Sequence, residues 1–389
     1  MKQLFEELAQ TTSVDGPLAA ANRLVEFLRS SEQYPELFEA LKIQRRLELG
    51  LSAVAIEGDP ALSPAQAEAT ERGLLDGCRE VGLNLLRKGQ LQDGWLYMRP
   101  LGDLTAIRDA VKDLSVDSDN LDDFLQLFVH EGIDVGRGVR LSLEHRGTCN
   151  TISMMESIVS RLGRKDQQAG VGELVRHLHD ELIASVRSDL GRREGGCPPG
   201  DTLVSIMAQR PDLLREGAYH LDTTHIASTV RLARVLDNRE ELALALDLCR
   251  YGRELGPGYQ YPSEEPFGEL YLMTGYFIEA LLGEKVEQAL HQFLRKAESL
   301  DPVEHGTIAI ETYADLLARI GRYNEAIAFL IKRMPAGMRP FGIAPSLLEL
   351  SCQAKNFVPM MDQSKARNDI IGYAAALLQS KSISARVER

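Results

Sequence analysis

The stretch "HLDTTH", residues 220–225, sets His220, Asp222 and His225 within six positions, directly before the apolar-periodic run "IASTVRLARVL". Imidazoles and a carboxylate at this density suit two chemistries. One is ligation of a divalent ion that keeps an open position for an acidified water, and the other is proton transfer. Asp222 or Thr223 also suits the N-cap of the helix that follows, where a side-chain oxygen satisfies an orphan N–H. Projected at about 100° per residue, His225 falls beside Thr229, Leu232 and Leu236 on the inner stripe, while Arg231 and Arg234 point outward. An inward imidazole at a helix N-terminus feels the positive end of the dipole and stays neutral, able to accept a hydrogen bond or bind a metal.

Two further segments carry histidines with partners. In "ELVRHLHDELIASV", 173–186, His179 projects with Val175, Val186 and Leu190, whereas His177 projects with Glu181 and Ala184 toward solvent, so the pair cannot share one metal. In "LEHRGTCNTISMMES", 143–157, Gly147 stops one helix and Thr148 or Asn150 caps the next. Cys149 then stands at a helix N-terminus near His145, a setting that lowers a thiol pKa, which makes His145 and Cys149 candidates for nucleophilic catalysis. The alternative is a plain small hydrophobe beside a capping histidine. His179, His220, Asp222 and His225 form the candidate metal set, and a divalent transition metal is the cofactor they would take. No phosphate-cradling, H-E-x-x-H or G-x-S-x-G motif occurs.

The elements that must position these residues are helices. Apolar residues recur at spacings of three and four throughout, with Gly, Asn or Pro at the ends and almost no sustained alternation of period two. Links of about two to six residues force consecutive helices antiparallel, and hairpins stacked in series make a solenoid. The fold class expected is therefore an all-α solenoid of antiparallel helix hairpins, open or curved back on itself. Two Gly/Pro-rich stretches break the pattern, "GRREGGCPPGD" at 191–201 and "LGPGYQYPSEEPFG" at 255–268. The first of them opens the irregular region 191–222, which separates an N-terminal lobe 1–190 from C-terminal helical repeats 223–389. Over a catalytic site either loop would serve as a lid.

The clearest repeat unit is "HGTIAIETYADLLARIGRYNEAIAFLIKRMP", 305–335, in which Gly321 ends one helix, Tyr323 and Ala326 begin the next, and the small Ala326 permits close approach. This unit resembles a tetratricopeptide repeat, and the resemblance implies that Ala314 and Leu317 fall where that family carries small and large packing residues. Looser echoes lie at 228–256 and 275–302. What the resemblance implies is a binding scaffold that takes a protein, peptide or small ligand on a concave face.

Composition narrows the partners. With 44 Lys+Arg against 57 Asp+Glu, the net charge of −13 disfavours nucleic acid and anionic membrane. Five widely spaced cysteines without C-x-x-C suit reduced thiols. The amino-terminal stretch lacks the pattern of a signal peptide, and no long apolar run occurs, so a cytoplasmic protein is expected. Two functions follow. The first is the helical-repeat binding scaffold, and the second is a His/Asp-ligated metal-dependent hydrolase or lyase with its site in residues 145–225.

Overall fold

In the computed structural model of the chain, the described residues are 2–57, 61–261, 266–338 and 340–387. Among them there are twenty α-helices and no strand. The chain divides into two compact units, 1–145 and 146–389.

The first unit contains α1 (Lys2–Asp15), α2 (Pro17–Ser30), α3 (Tyr34–Glu48), α4 (Pro64–Arg87), α5 (Leu91–Met98), α6 (Leu104–Val111), α7 (Leu121–Leu125) and the start of α8 (Val135–Ile158). Each of α1 to α4 packs on the next, and α6 packs on α4. Ser63 and Gln66 close a reciprocal capping box at the start of α4. The α4–α5 hairpin is tight because Gly82 and Gly94 face each other. A Cβ on Gly94 would stand 2.9 Å from the Gly82 carbonyl oxygen, so neither position admits a side chain. Leu86, Trp95, Met98, Ile107 and Phe128 fill the core beneath.

The second unit takes the remainder of α8, then α9 (Arg164–Glu194), α10 (Leu203–Gln209), α11 (Thr223–Leu232), α12 (Arg239–Glu254), α13 (Leu270–Leu282), α14 (Val286–Ser299), α15 (Pro302–His305), α16 (Ile308–Arg319), α17 (Tyr323–Arg333), α18 (Leu347–Ala354), α19 (Val358–Ala366) and α20 (Ile370–Val387). Helices again pack on their sequence neighbours, α11 on α12, α12 on α13, α13 on α14, and α16 on α17. The long α9 lies against both α11 and α12.

The hairpin expected at 305–335 forms as α16 and α17. Gly321, at φ 83°, turns the chain, with the Arg322 N–H donating to the Leu317 carbonyl at 2.8 Å. Ala314 and Ala326 are fully buried, and Tyr313 meets Phe329 edge-on at 4.7 Å.

Two features depart from the sequence reading. The division between units falls at 145/146, beside the break at Gly147 (φ 78°), and the 191–222 region lies inside the second unit. The helix that carries His177 and His179 runs from Arg164 to Glu194, through the first residues of the Gly/Pro-rich stretch at 191–201, and stops at Gly195 (φ 81°). Asp189 explains the extension, because it pairs with Arg192 and Arg193 at the i+3 and i+4 positions and supports the extra turn.

Candidate functional site

The opening hexapeptide separates into three environments. Asp222 is the N-cap of α11, accepting from the Thr224 N–H at 2.8 Å and from the Thr224 hydroxyl. Those bonds, led by the hydroxyl, hold its carboxyl below the usual aspartate range. His225 is half-buried one turn later. His220 turns the other way, into a buried chain. Its Nε2 lies 3.2 Å from Asp189 Oδ2, and its Nδ1 lies 2.9 Å from the Tyr251 hydroxyl oxygen, which also accepts the His220 backbone N–H at 2.9 Å. One proton arrangement satisfies every atom: Tyr251 O–H donates to Nδ1, and Nε2–H donates to Asp189.

His179 is buried as its projection requires, with Nε2 facing Asp247 at 3.5 Å. His179 thus faces Asp247, His220 meets Asp189 and Tyr251, and Asp222 caps its own helix. Among the described residues no group of three or more His, Cys, Asp or Glu side chains forms a metal cage. His145 and Cys149 are both exposed. Thr148 does not cap. Its hydroxyl lies 3.0 Å from His177 Nε2 and 3.3 Å from Glu181 Oε2, while Glu181 approaches that same nitrogen at 3.7 Å. A carboxylate that orients a general base must take the other nitrogen, so this cluster lacks the geometry of an activated hydroxyl.

The two irregular loops are tied down where they are described. Arg187 donates to the carbonyls of Pro199 and Asp201, both at 2.8 Å. Gln260 caps the end of α12 through the Gly252, Arg253 and Leu255 carbonyls, and the Tyr261 hydroxyl meets Thr223 Oγ1 at 3.1 Å. The paired carboxylates Glu264 and Glu265 lie outside the described residues.

Burial pushes the His220 imidazole below its ordinary 6.5, against the pull of Asp189. Burial would raise Asp189, but the His220 hydrogen bond and Arg193 hold it below its ordinary 3.8. The signs agree. As pH falls through 6.5 the unfolded chain takes up a proton that folded His220 refuses, and below 3.8 the unfolded chain does the same at Asp189. Stability should therefore begin to fall near pH 6.5, and urea midpoints for His220→Gln should lose the part of this slope that sets in just below pH 6.5. An unchanged slope would remove His220 from the account.

The arrangement best suited to hold a ligand is elsewhere. A cavity of about 390 Å³ in the second unit is lined by Arg164 and Gln167 from α9, Arg231 at the end of α11, Arg234 in the single 3₁₀ turn after it, and Thr312 and Asp315 from α16. Leu232, Phe277, Ile308, Phe341 and Ile343 supply apolar wall. Arg231 and Arg234 project outward from their own hairpin, yet in a packed array that outward side faces the next layer, here α16 and the segment at 341–343. They line the cavity for that reason.

No protein-family model, curated protein or solved structure matches the chain. Its function is therefore argued from the site alone.

Two buried groups build the cavity. Arg319, with a side chain 9% exposed, lies behind it, donating to the Arg234 and Leu236 carbonyls and pairing with Asp237 at 2.6 Å and Asp315 at 3.7 Å. Its guanidinium also covers the Phe277 ring. These contacts fix the 3₁₀ turn that carries Arg234. Glu311, 1% exposed, accepts the backbone N–H groups of Phe341, Gly342 and Ile343 at 2.8–2.9 Å and the Thr307 hydroxyl at 2.5 Å. It thereby fastens the wall at 341–343.

The lining is electrostatically uneven. Arg231 stands 3.6 Å from Glu156, and Arg164 stands 3.9 Å from Asp237, both long ion contacts. Burial raises the Asp315 carboxyl above its usual range, against the opposing pull of Arg319 and then Arg164. Thr312 is 2% exposed and lines the cavity.

A larger groove of about 510 Å³ around Val204, Leu213 and Leu214 also holds arginines. There Arg210 pairs with Glu194, Arg215 with Asp212 and Arg250 with Asp247.

Sequence reasoning missed this site because its residues come from five separate segments spanning positions 159–343. The one local signal was a pair of arginines, Arg231 and Arg234, flanking apolar Leu232 in an otherwise acidic chain.

Proposed function

We propose that the chain is a helical-repeat binding scaffold whose second unit holds a small ligand with an anionic group and an apolar body. The observation that carries this reading is the arginine-lined cavity in a protein of net charge −13. Its volume falls at the small end of ordinary ligand sites, which run from about 300 to 1,000 Å³. Guanidinium groups recognise carboxylate and phosphate through paired N–H donors, and the apolar wall contributes by area.

The metal-dependent hydrolase reading draws no support from the residues first chosen for it, since among the described residues they form no group of three or more that could hold a metal. Helix-by-helix packing and the α16–α17 hairpin favour a scaffold, in which neighbouring repeats jointly build a site that no single one contains.

Calorimetric titration of the full chain with 3-phenylpropanoate and 4-methylpentanoate, against the corresponding amides, tests the reading. The acids should bind and the amides should bind at least about tenfold more weakly, since a charged hydrogen bond is worth about 1.5–3 kcal/mol. Replacing Arg231 and Arg234 together with alanine should abolish the preference. Equal binding of acids and amides, or no binding of either, would overturn it.

A further inference from the structure

We propose that His220 is a proton-operated latch on residues 210–222: taking up a proton undoes its hydrogen-bond chain and frees one end of the segment that walls the groove of about 510 Å³ beside α12. The chain joins three elements. His220 reaches Asp189 on α9 through Nε2 at 3.2 Å and Tyr251 on α12 through Nδ1 at 2.9 Å, and its backbone N–H donates to the same tyrosine oxygen at 2.9 Å. Among the described residues, the other polar side-chain tie from 210–220 to a neighbouring helix is that of Arg210 to Glu194, at the opposite end. Leu213 and Leu214 are buried between the two ties and line the groove with Arg210 and Arg215. Gly217, at φ 78°, lies between the leucines and His220 and supplies a pivot.

Protonation breaks the chain at Tyr251. With a neutral ring, the Tyr251 O–H donates to Nδ1 and its oxygen accepts the backbone N–H, so each buried atom has a partner. An imidazolium turns Nδ1 into a donor, and the tyrosine hydrogen loses its acceptor on a side chain with no exposure to water. The charges around the ring oppose the proton as well. Asp189, Arg192 and Arg193 face it from α9 and the Tyr251 phenol from α12, while the adjacent Tyr219 stacks on Tyr259. Asp189 is already balanced by Arg193 at 2.9 Å and Arg192 at 3.5 Å, so an imidazolium would be a third cation on one carboxylate. Such a charge is better solvated outside, and the ring leaves with its proton. Burial holds the seated ring below its ordinary 6.5, which makes the neutral form the closed one.

Amide exchange on the full chain, corrected for the intrinsic pH dependence and combined with the ring nitrogen shifts of His220, tests the latch. At neutral pH the ring should carry its one proton on Nε2, and the amides of 218–221 should be protected. A released ring titrates at its ordinary 6.5, so each pH unit below that should favour the open form by about tenfold until the seated ring itself takes a proton. Protection at 218–221 should fall with that slope, while the amides of α16 keep theirs. His220→Gln should remove the slope at 218–221. If that variant does not fold, the unaltered chain still decides, because a ring that becomes doubly protonated while 218–221 stay protected means that the imidazolium remains seated, and the latch falls. It falls equally if protection at 218–221 does not change below pH 6.5, if the slope survives in His220→Gln, or if α16 loses protection in step, which would be unfolding of the whole unit.

Discussion

Replacing Arg319 with methionine should cost the second unit about 3–5 kcal/mol, the range for removing one partner of a buried ion pair. The side chain is 9% exposed and serves several groups at once. Asp315 loses its nearest cation at a depth where water cannot compensate, and the carbonyls of Arg234 and Leu236 lose their donor. Methionine keeps much of the volume, so the loss reports charge and hydrogen bonding more than a void. The pair Asp315→Leu with Arg319→Met should cost clearly less than the two single changes added together, because the double replacement leaves no unbalanced charge. Urea unfolding of the three variants, followed by hydrogen exchange in the helix at 223–232, measures both quantities. A loss below about 1 kcal/mol for the single change would mean that Arg319 is not what fixes the turn carrying Arg234.

Glu311→Ala should loosen the other wall. Three backbone N–H groups, from Phe341, Gly342 and Ile343, and the Thr307 hydroxyl all converge on one buried carboxylate. Hydrogen bonds to a charged acceptor contribute more than neutral ones, and stranded buried donors cost about 1–3 kcal/mol each. With the segment at 341–343 free to turn toward water, only part of that cost persists, and a net loss of about 2–4 kcal/mol is expected. The local readout is sharper. Exchange at the three amides should accelerate by at least about thirtyfold, the equivalent of about 2 kcal/mol. Glu311→Gln should fall between, since it keeps one oxygen but turns an amino group toward donors. Unchanged exchange at all three amides in the alanine variant would show that other contacts hold the wall.

Both predictions concern residues that no sequence pattern singled out. Glu311 reads as an ordinary polar position in the first turn of a helix, and Arg319 as a basic residue in the last turn, where it suits the helix dipole. What makes them matter is the backbone that other segments bring to them. The carbonyls of Arg234 and Leu236 are 83 or more residues away from Arg319, and the amides of 341–343 are at least 30 residues from Glu311. The "HLDTTH" stretch illustrates the same division within six residues. Asp222 is a helix N-cap, as a local rule requires. His220 lies on loop backbone with no periodic phase to project, and only its encounter with Asp189 and Tyr251, each 31 residues distant, sets its role.

The sequence by itself determined the helices, their antiparallel order and most of their ends, since these follow from interactions within a few residues: apolar spacing, N-caps such as Asp222 and Asn238, and glycines such as Gly321 that accept positive φ. It determined the inward placement of His179 on the same ground. Tertiary structure alone decided which polar side chains meet. A helix's solvent side and its side toward the next layer carry the same polar residues, so Arg231 and Arg234 read as exposed until α16 and the segment at 341–343 close over them. Periodicity records one buried face per helix, whereas an array of helices makes second contacts between layers whose alignment depends on side-chain packing far apart in the chain.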